Sequence, residues 1–240
     1  MNKLLPLLSW LAFPVYIWQG VGVRLRTERM TPAKGPVHGA FKGKGEAIRL
    51  LALGDSSIAG VGADTYDQGV PYQLAKLLNE KTRQPVEWRA AGFSSAVSEQ
   101  IRDHVMPNIE AGDWTHIVLH IGVNDAKNFH SGPRFKKAFG GLLYAMRAKW
   151  PDAQIYWCQA VDFTRVPAMP PMLGKILEIR AQLINRIGSR LCHERRAIPI
   201  PRLPITDPQA GFSRDGFHAS PAGYEAWAEH VAPYVLGERD

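Results

Sequence analysis

Cysteine is nearly absent from this chain: Cys158 and Cys192 are the two among 240 residues, with neither CxxC nor metal-ligand spacing. No metal site is expected from them, and both read as small buried hydrophobes, one in a strand and one in a helix. A spread basic surface is also lacking. The net charge is +7, but residues 1–50 hold eight basic side chains against Glu28 and Glu46, a balance of +6 that leaves about +1 for the rest. That distribution, with no nucleic-acid motif, excludes a nucleic-acid partner. No internal repeat or low-complexity tract interrupts the chain. At 45% hydrophobic and 21% charged residues, it has the makings of one globular domain with a sizeable core.

A long membrane-spanning run is missing too. The stretch 4–18, "LLPLLSWLAFPVYIW", is uncharged but carries Pro6 and Pro14. Fully helical, it would reach about 22 Å, short of the roughly 30 Å bilayer core. "RLRTER" comes soon after, so a retained membrane-contacting segment with a basic flank is the favoured reading of residues 1–30. The arginines then favour the cytoplasmic side for the rest of the chain. A cleaved signal peptide, with export, and a soluble docked helix are the alternatives. Residues 31–46, rich in Gly, Lys and Pro, read as a linker.

From residue 47 onward, apolar strand-like runs alternate with helix-period segments, the pattern of a parallel α/β sheet. Strands are predicted at 47–53, 85–91, 115–122, 153–160 and 197–203. Helices are predicted at 71–82, 96–110, about 133–149, about 173–194 and 220–236. Ser220 fits an N-cap and Pro221 the first helical position.

Four polar spots fall at or beyond the carboxyl ends of these strands, where open α/β sheets place ligands. They are Gly54-Asp55-Ser56-Ser57, the Gly92-Phe93-Ser94-Ser95 bend, Gly122-Val123-Asn124-Asp125 and Asp215-Gly216-Phe217-His218. Together they suit acyl transfer. Ser56 supplies a nucleophile and His218 a base that titrates near neutrality. Asp215, three residues before His218, can hold the far ring nitrogen. Asp55, Asp125, Asp162 and Asp207 compete for that role but lack the spacing, and Asp55 more simply braces its own turn. His120 is a rival base, yet it lies inside the third predicted strand, where a core histidine is expected. The N–H groups of Ser56 and Gly92 and the amide of Asn124 would form an oxyanion hole.

These boxes, "LGDSS", the glycine of "AAGFSS", "GVND" and "DGFH", resemble the SGNH-hydrolase superfamily, the GDSL esterases and lipases. Its four named residues correspond here to Ser56, Gly92, Asn124 and His218, over about residues 47–236. Ser57 stands where the family name has leucine. The resemblance implies a flavodoxin-like, three-layer α/β/α sandwich around a five-stranded parallel sheet, spanning 47–240. It also implies a cofactor-free serine esterase, of lipase, lysophospholipase or thioesterase type, acting on lipid-like or simple acyl esters. A carbohydrate O-acetylesterase would use the same machinery. The absence of G-x-S-x-G argues against the α/β-hydrolase elbow.

Two other classes of function compete. An inactive, membrane-tethered binding module is disfavoured by the intact Ser, Asp and His. A flavodoxin-type nucleotide binder is disfavoured by Asp55, which would repel a phosphate in the first bend. For substrate, the stretch 161–175 after the fourth strand carries Phe163, Met169 and Met172, which are expected to line an acyl pocket.

Overall fold

The computed structural model describes Pro6 and residues 9–239; Lys3 and most of the first half of the 4–18 run lie outside the described residues. The strands are β1 (His38–Phe41), β2 (Ile48–Gly54), β3 (Val86–Gly92), β4 (His116–His120), β5 (Gln154–Cys158) and β6 (Ile198–Ile200). They form one sheet in the order β1-β3-β2-β4-β5-β6. The last five are mutually parallel, as the alternating pattern predicts. The sixth, β1, is a correction to the five-stranded expectation. It runs antiparallel to β3 with His38 opposite Arg89 and Phe41 opposite Val86, inside the segment read as a linker. Nearby, the Ala33 N–H donates to Ala59 and Lys34 bridges Thr65, so this stretch lies against the domain.

Period-two alternation builds the layers. Along β2, Ile48, Leu50 and Ala52 face one side, with Leu74 and Leu78 of α2 (Val70–Thr82) and Val231 of α8 (Pro221–Val235). Leu51 and Leu53 face the other, with Phe135, Phe139 and Leu142 of α5 (Gly132–Lys149) and Leu177 and Ile184 of α6 (Pro171–Glu194). Leu50, Leu51 and Leu53 are wholly buried, each contributing about 1.5–3 kcal/mol. Helix starts follow their chemistry. Ser220 accepts from the Gly223 N–H and Ser131 from the Arg134 N–H, each ahead of a proline in the first turn.

The predicted helix at 96–110 is instead composite. A short α3 (Ser98–Gln100) passes into a π turn (Ile101–Val105) and a 3-10 turn (Met106–Asn108). Pro107 has no N–H to bond the Asp103 carbonyl, so no α-helical ladder runs through the 3-10 turn that holds it. At the other end of the chain, α1 (Phe13–Arg26) leans on the α6 side of the domain. Its Phe13 and Tyr16 rings surround Phe129, and the Tyr16 hydroxyl donates to the Lys127 carbonyl at 2.5 Å. Among the described residues, no helix is long and apolar enough to cross a membrane.

Candidate active site

The strand order places β2 between β3 and β4, so the chain leaves β2 to one side and later returns on the other. That reversal is the topological switch point, where the crevice above an open parallel sheet forms. The backbones crowd there. A Cβ at Gly54 would lie 2.1 Å from the His120 carbonyl oxygen, and one at Gly92 would lie 2.4 Å from the Gly54 carbonyl oxygen. Glycine at both positions lets the three strand tips close up and fixes the turn that carries Ser56. Gly92 is thus required by its close approach to the Gly54 backbone at the first turn.

Within that turn Asp55 acts as the brace. Its Oδ1 accepts from the Ser57 N–H and hydroxyl, both at 3.0 Å. Burial pushes the Asp55 carboxyl above its ordinary value, against the pull of those bonds and of nearby Lys127 and His218. Ser56 is 9% exposed. Among the described residues its N–H finds no backbone acceptor.

His218 reaches Ser56 from a different part of the chain. A short hairpin, closed by pairing of Phe212 with Ala219, connects α7 (Pro208–Gly211) to α8. Inside it Asp215 accepts four hydrogen bonds. Its Oδ1 takes the Ser213 hydroxyl and the N–H groups of Phe217 and His218, at 3.0, 2.8 and 2.9 Å. Its Oδ2 pairs with His218 Nδ1 at 2.5 Å, and His218 Nε2 lies 3.1 Å from Ser56 Oγ. Burial raises the Asp215 carboxyl, but the bonds from the His218 ring and from the two N–H groups outweigh it and leave a pKa of about 2. The carboxylate is therefore ionised at any pH where a histidine can act as a base.

Asn124 sits in α4 (Val123–Lys127), directly after β4. Its amide donates to the Ala96 carbonyl at 3.0 Å and, at a longer 3.3 Å, to Asp55 Oδ2. Beside it, Asp125 is fully buried and accepts from the Ser98 N–H and hydroxyl and from His130 Nδ1. That clamp fixes α4 to α3, a role the sequence alone did not suggest. The other rival acids are equally occupied. Asp162 caps Thr164, and Asp207 caps Gln209 and Ala210.

Ser56, Asn124 and His218 open onto a cleft of about 240 Å³. Its walls include Val161, Val166, Leu203, Ile205, Phe212 and Trp227, and its floor His120 and Cys158. His120 Nε2 meets Cys158 Sγ at 3.1 Å, and Trp227 packs over the imidazole with centroids 4.4 Å apart. Burial drives the His120 pKa down to about 3, so it stays neutral, and among the described residues its ring makes no hydrogen bond to Ser56. The loop after β5 does reach this cleft, but through Val161 and Val166. Phe163 is wholly buried in the core, Met169 packs against that core and Met172 is 54% exposed, so none of the three lines the cleft. Gly92 also lies outside the lining. Phe217, which lines the cleft, also has the Lys127 ammonium 4.9 Å from its ring centroid.

Three solved structures share the architecture at low identity. TesA superposes with a TM-score of 0.65 at 19% identity, covering 79% of this chain and 98% of its own. A protein of Parabacteroides merdae described as a GDSL-like lipase gives 0.64 at 20% identity, covering 80% and 96%. The family 3 carbohydrate esterase of Clostridium thermocellum gives 0.60 at 16%, covering 80% and 97%. No curated protein matches in sequence. Residues 52–226, from within β2 to within α8, match the GDSL-like lipase/acylhydrolase family. This chain belongs to that family, with the α/β fold of an SGNH hydrolase.

Proposed function

We propose that the protein hydrolyses carboxylic esters or thioesters through an acyl-enzyme on Ser56. As Ser56 Oγ attacks the acyl carbon, His218 Nε2 takes the hydroxyl proton. Asp215 keeps the other ring proton on Nδ1 and stabilises the imidazolium. The negative charge moves to the former carbonyl oxygen, which accepts from the Ser56 and Gly92 N–H groups and from the Asn124 amide. Asn124 is suited to this: the long bond to Asp55 can be surrendered while the bond to Ala96 holds the amide in place. Collapse of the intermediate expels the alcohol or thiol, which receives the proton from His218. Water then repeats the sequence, activated by the same histidine, and frees the acid.

The observation that carries this reading is the 3.1 Å approach of His218 Nε2 to Ser56 Oγ at the head of an apolar cleft. Aliphatic and aromatic walls suit an acyl chain better than a sugar, which would need hydrogen-bonding partners along its length. The resemblance to a carbohydrate esterase keeps O-acetylated sugars as the second reading.

A panel of p-nitrophenyl esters beside acetylated sugars separates the two. Each methylene buried adds about 0.8 kcal/mol, or roughly fourfold in kcat/KM, until the cleft is filled. A rise from acetyl towards medium chains is expected. A profile that falls steadily from acetyl, with acetate released from sugars, would give the acetylesterase reading instead.

A further inference from the structure

Helix α1 has an outward face that the fold leaves uncovered. Inward, Ala12, Phe13, Tyr16 and Val23 pack against the domain. Outward, Val15, Trp18 and Leu25 recur at helical spacing, joined by Ile17, Val21 and, in the turn ahead of the helix, Leu11. Leu11 is 79% exposed, Trp18 75% and Leu25 80%. Such a continuous stripe is unusual on a soluble surface and marks a site of contact.

Charge indicates what it contacts. Arg24, Arg26 and Arg29 are exposed at the end of the stripe. Glu28 is the sole acid in the first 45 residues, and it is already engaged by Arg214 at 2.9 and 3.0 Å. The partner must therefore offer apolar depth beside negative charge. A second copy of this chain would set three arginines against three and fits poorly. At 14 residues the helix is too short to span a bilayer. It is suited to lie along one, with its tryptophan at the boundary between headgroups and acyl chains.

We propose that α1 docks flat on an anionic lipid surface, with Leu11, Val15, Trp18, Val21 and Leu25 entering the acyl boundary and the arginines meeting headgroups. The helix is coupled to the site. Tyr16 bonds the carbonyl of Lys127 on α4, the helix that carries Asn124. The Ser213 hydroxyl, on the His218 hairpin, meets Met30 Sδ at 3.3 Å, next to the Glu28–Arg214 pair. Docking through α1 thus sets a fixed orientation of the cleft to the lipid. Its use for drawing acyl chains from that surface rests on the esterase reading, whereas the docking itself does not.

The test is cosedimentation of the full chain with phosphatidylcholine vesicles, with and without phosphatidylglycerol, alongside turnover of a soluble ester. The wild type should sediment with the anionic vesicles, weakly with the neutral ones, and be released by high salt. Replacing Arg24, Arg26 and Arg29 by Gln should weaken binding about fivefold for each arginine. The Trp18→Asp/Leu25→Asp pair should lose binding, and all variants should keep wild-type turnover of the soluble ester. Wild type that stays in the supernatant, or variants that sediment like it, would overturn the proposal. A dimer dispersed by Trp18→Asp/Leu25→Asp, without vesicle binding, would assign the face to a second copy. A chain that binds vesicles yet hydrolyses no ester would retain the docking and sink only the esterase reading.

Discussion

Replacing Asp215 by Asn tests the serine–histidine relay at its least exposed member. The asparagine oxygen can take the place of Oδ1 and keep the bonds from Ser213, Phe217 and His218 N–H. Its amino group then points at His218 Nδ1, which must become an acceptor. The ring proton moves to Nε2, facing Ser56 Oγ, where it can no longer accept the hydroxyl proton. A loss of about 10⁴ in kcat is expected from that tautomer change. Stability should respond as well. The Asp215 pKa is lowered from 3.8 to about 2, which corresponds to roughly 2 kcal/mol favouring the folded state at neutral pH. A lowered carboxyl stabilises above its unfolded value, so this contribution is fully present above about pH 5 and is lost as pH falls from 4 through 2. Urea unfolding of wild type and variant at neutral and acidic pH should show a gap of up to about 2 kcal/mol that closes below pH 4. Near-wild-type turnover, or a gap unchanged down to pH 2, would refute the reasoning.

Two further substitutions probe the rim of the sheet. Asn124→Ala should lower kcat about 100- to 1,000-fold with little change in KM, because its amide serves the developing oxyanion; steady-state kinetics with kcat unchanged would leave Asn124 only as a tie to Ala96 and Asp55. Gly92→Ala forces a methyl group to within 2.4 Å of the Gly54 carbonyl oxygen, where only backbone movement relieves the contact. Thermal unfolding should show a loss of about 1–3 kcal/mol, with activity falling as the Ser56 turn shifts.

The parts of this molecule that local chemistry specifies were legible in the sequence. The five parallel strands and the polar bends at their tips rest on short-range alternation and turn residues. So does the Asp215–His218 spacing, because both residues lie in one hairpin. What depends on distant partners was not legible. Strand β1 is four residues containing a glycine, and its pairing comes from β3, nearly fifty residues later. The cleft walls gather Val161, Leu203 and Phe212 from three separate connections and Trp227 from α8, so no single stretch signalled them. Phe163 and Met172 show the same limit: an apolar loop residue can turn into the core or out to solvent, and only the packing around it decides. The N-terminal run carried an apolar signal, but its division into an inward face on Phe129 and an outward stripe needed the docked helix. Asp125 lies 27 residues from Ser98 and 5 from His130, and their clamp has no sequence signature.

The nucleophile is the central claim, and covalent capture tests it most directly. The full chain would be treated with a fluorophosphonate, digested and mapped by mass spectrometry, beside Ser56→Ala and His218→Ala. One adduct is expected, on Ser56, forming rapidly in wild type, slowly in His218→Ala and not at all in Ser56→Ala. An unlabelled wild type, or an adduct on any other serine, would contradict it.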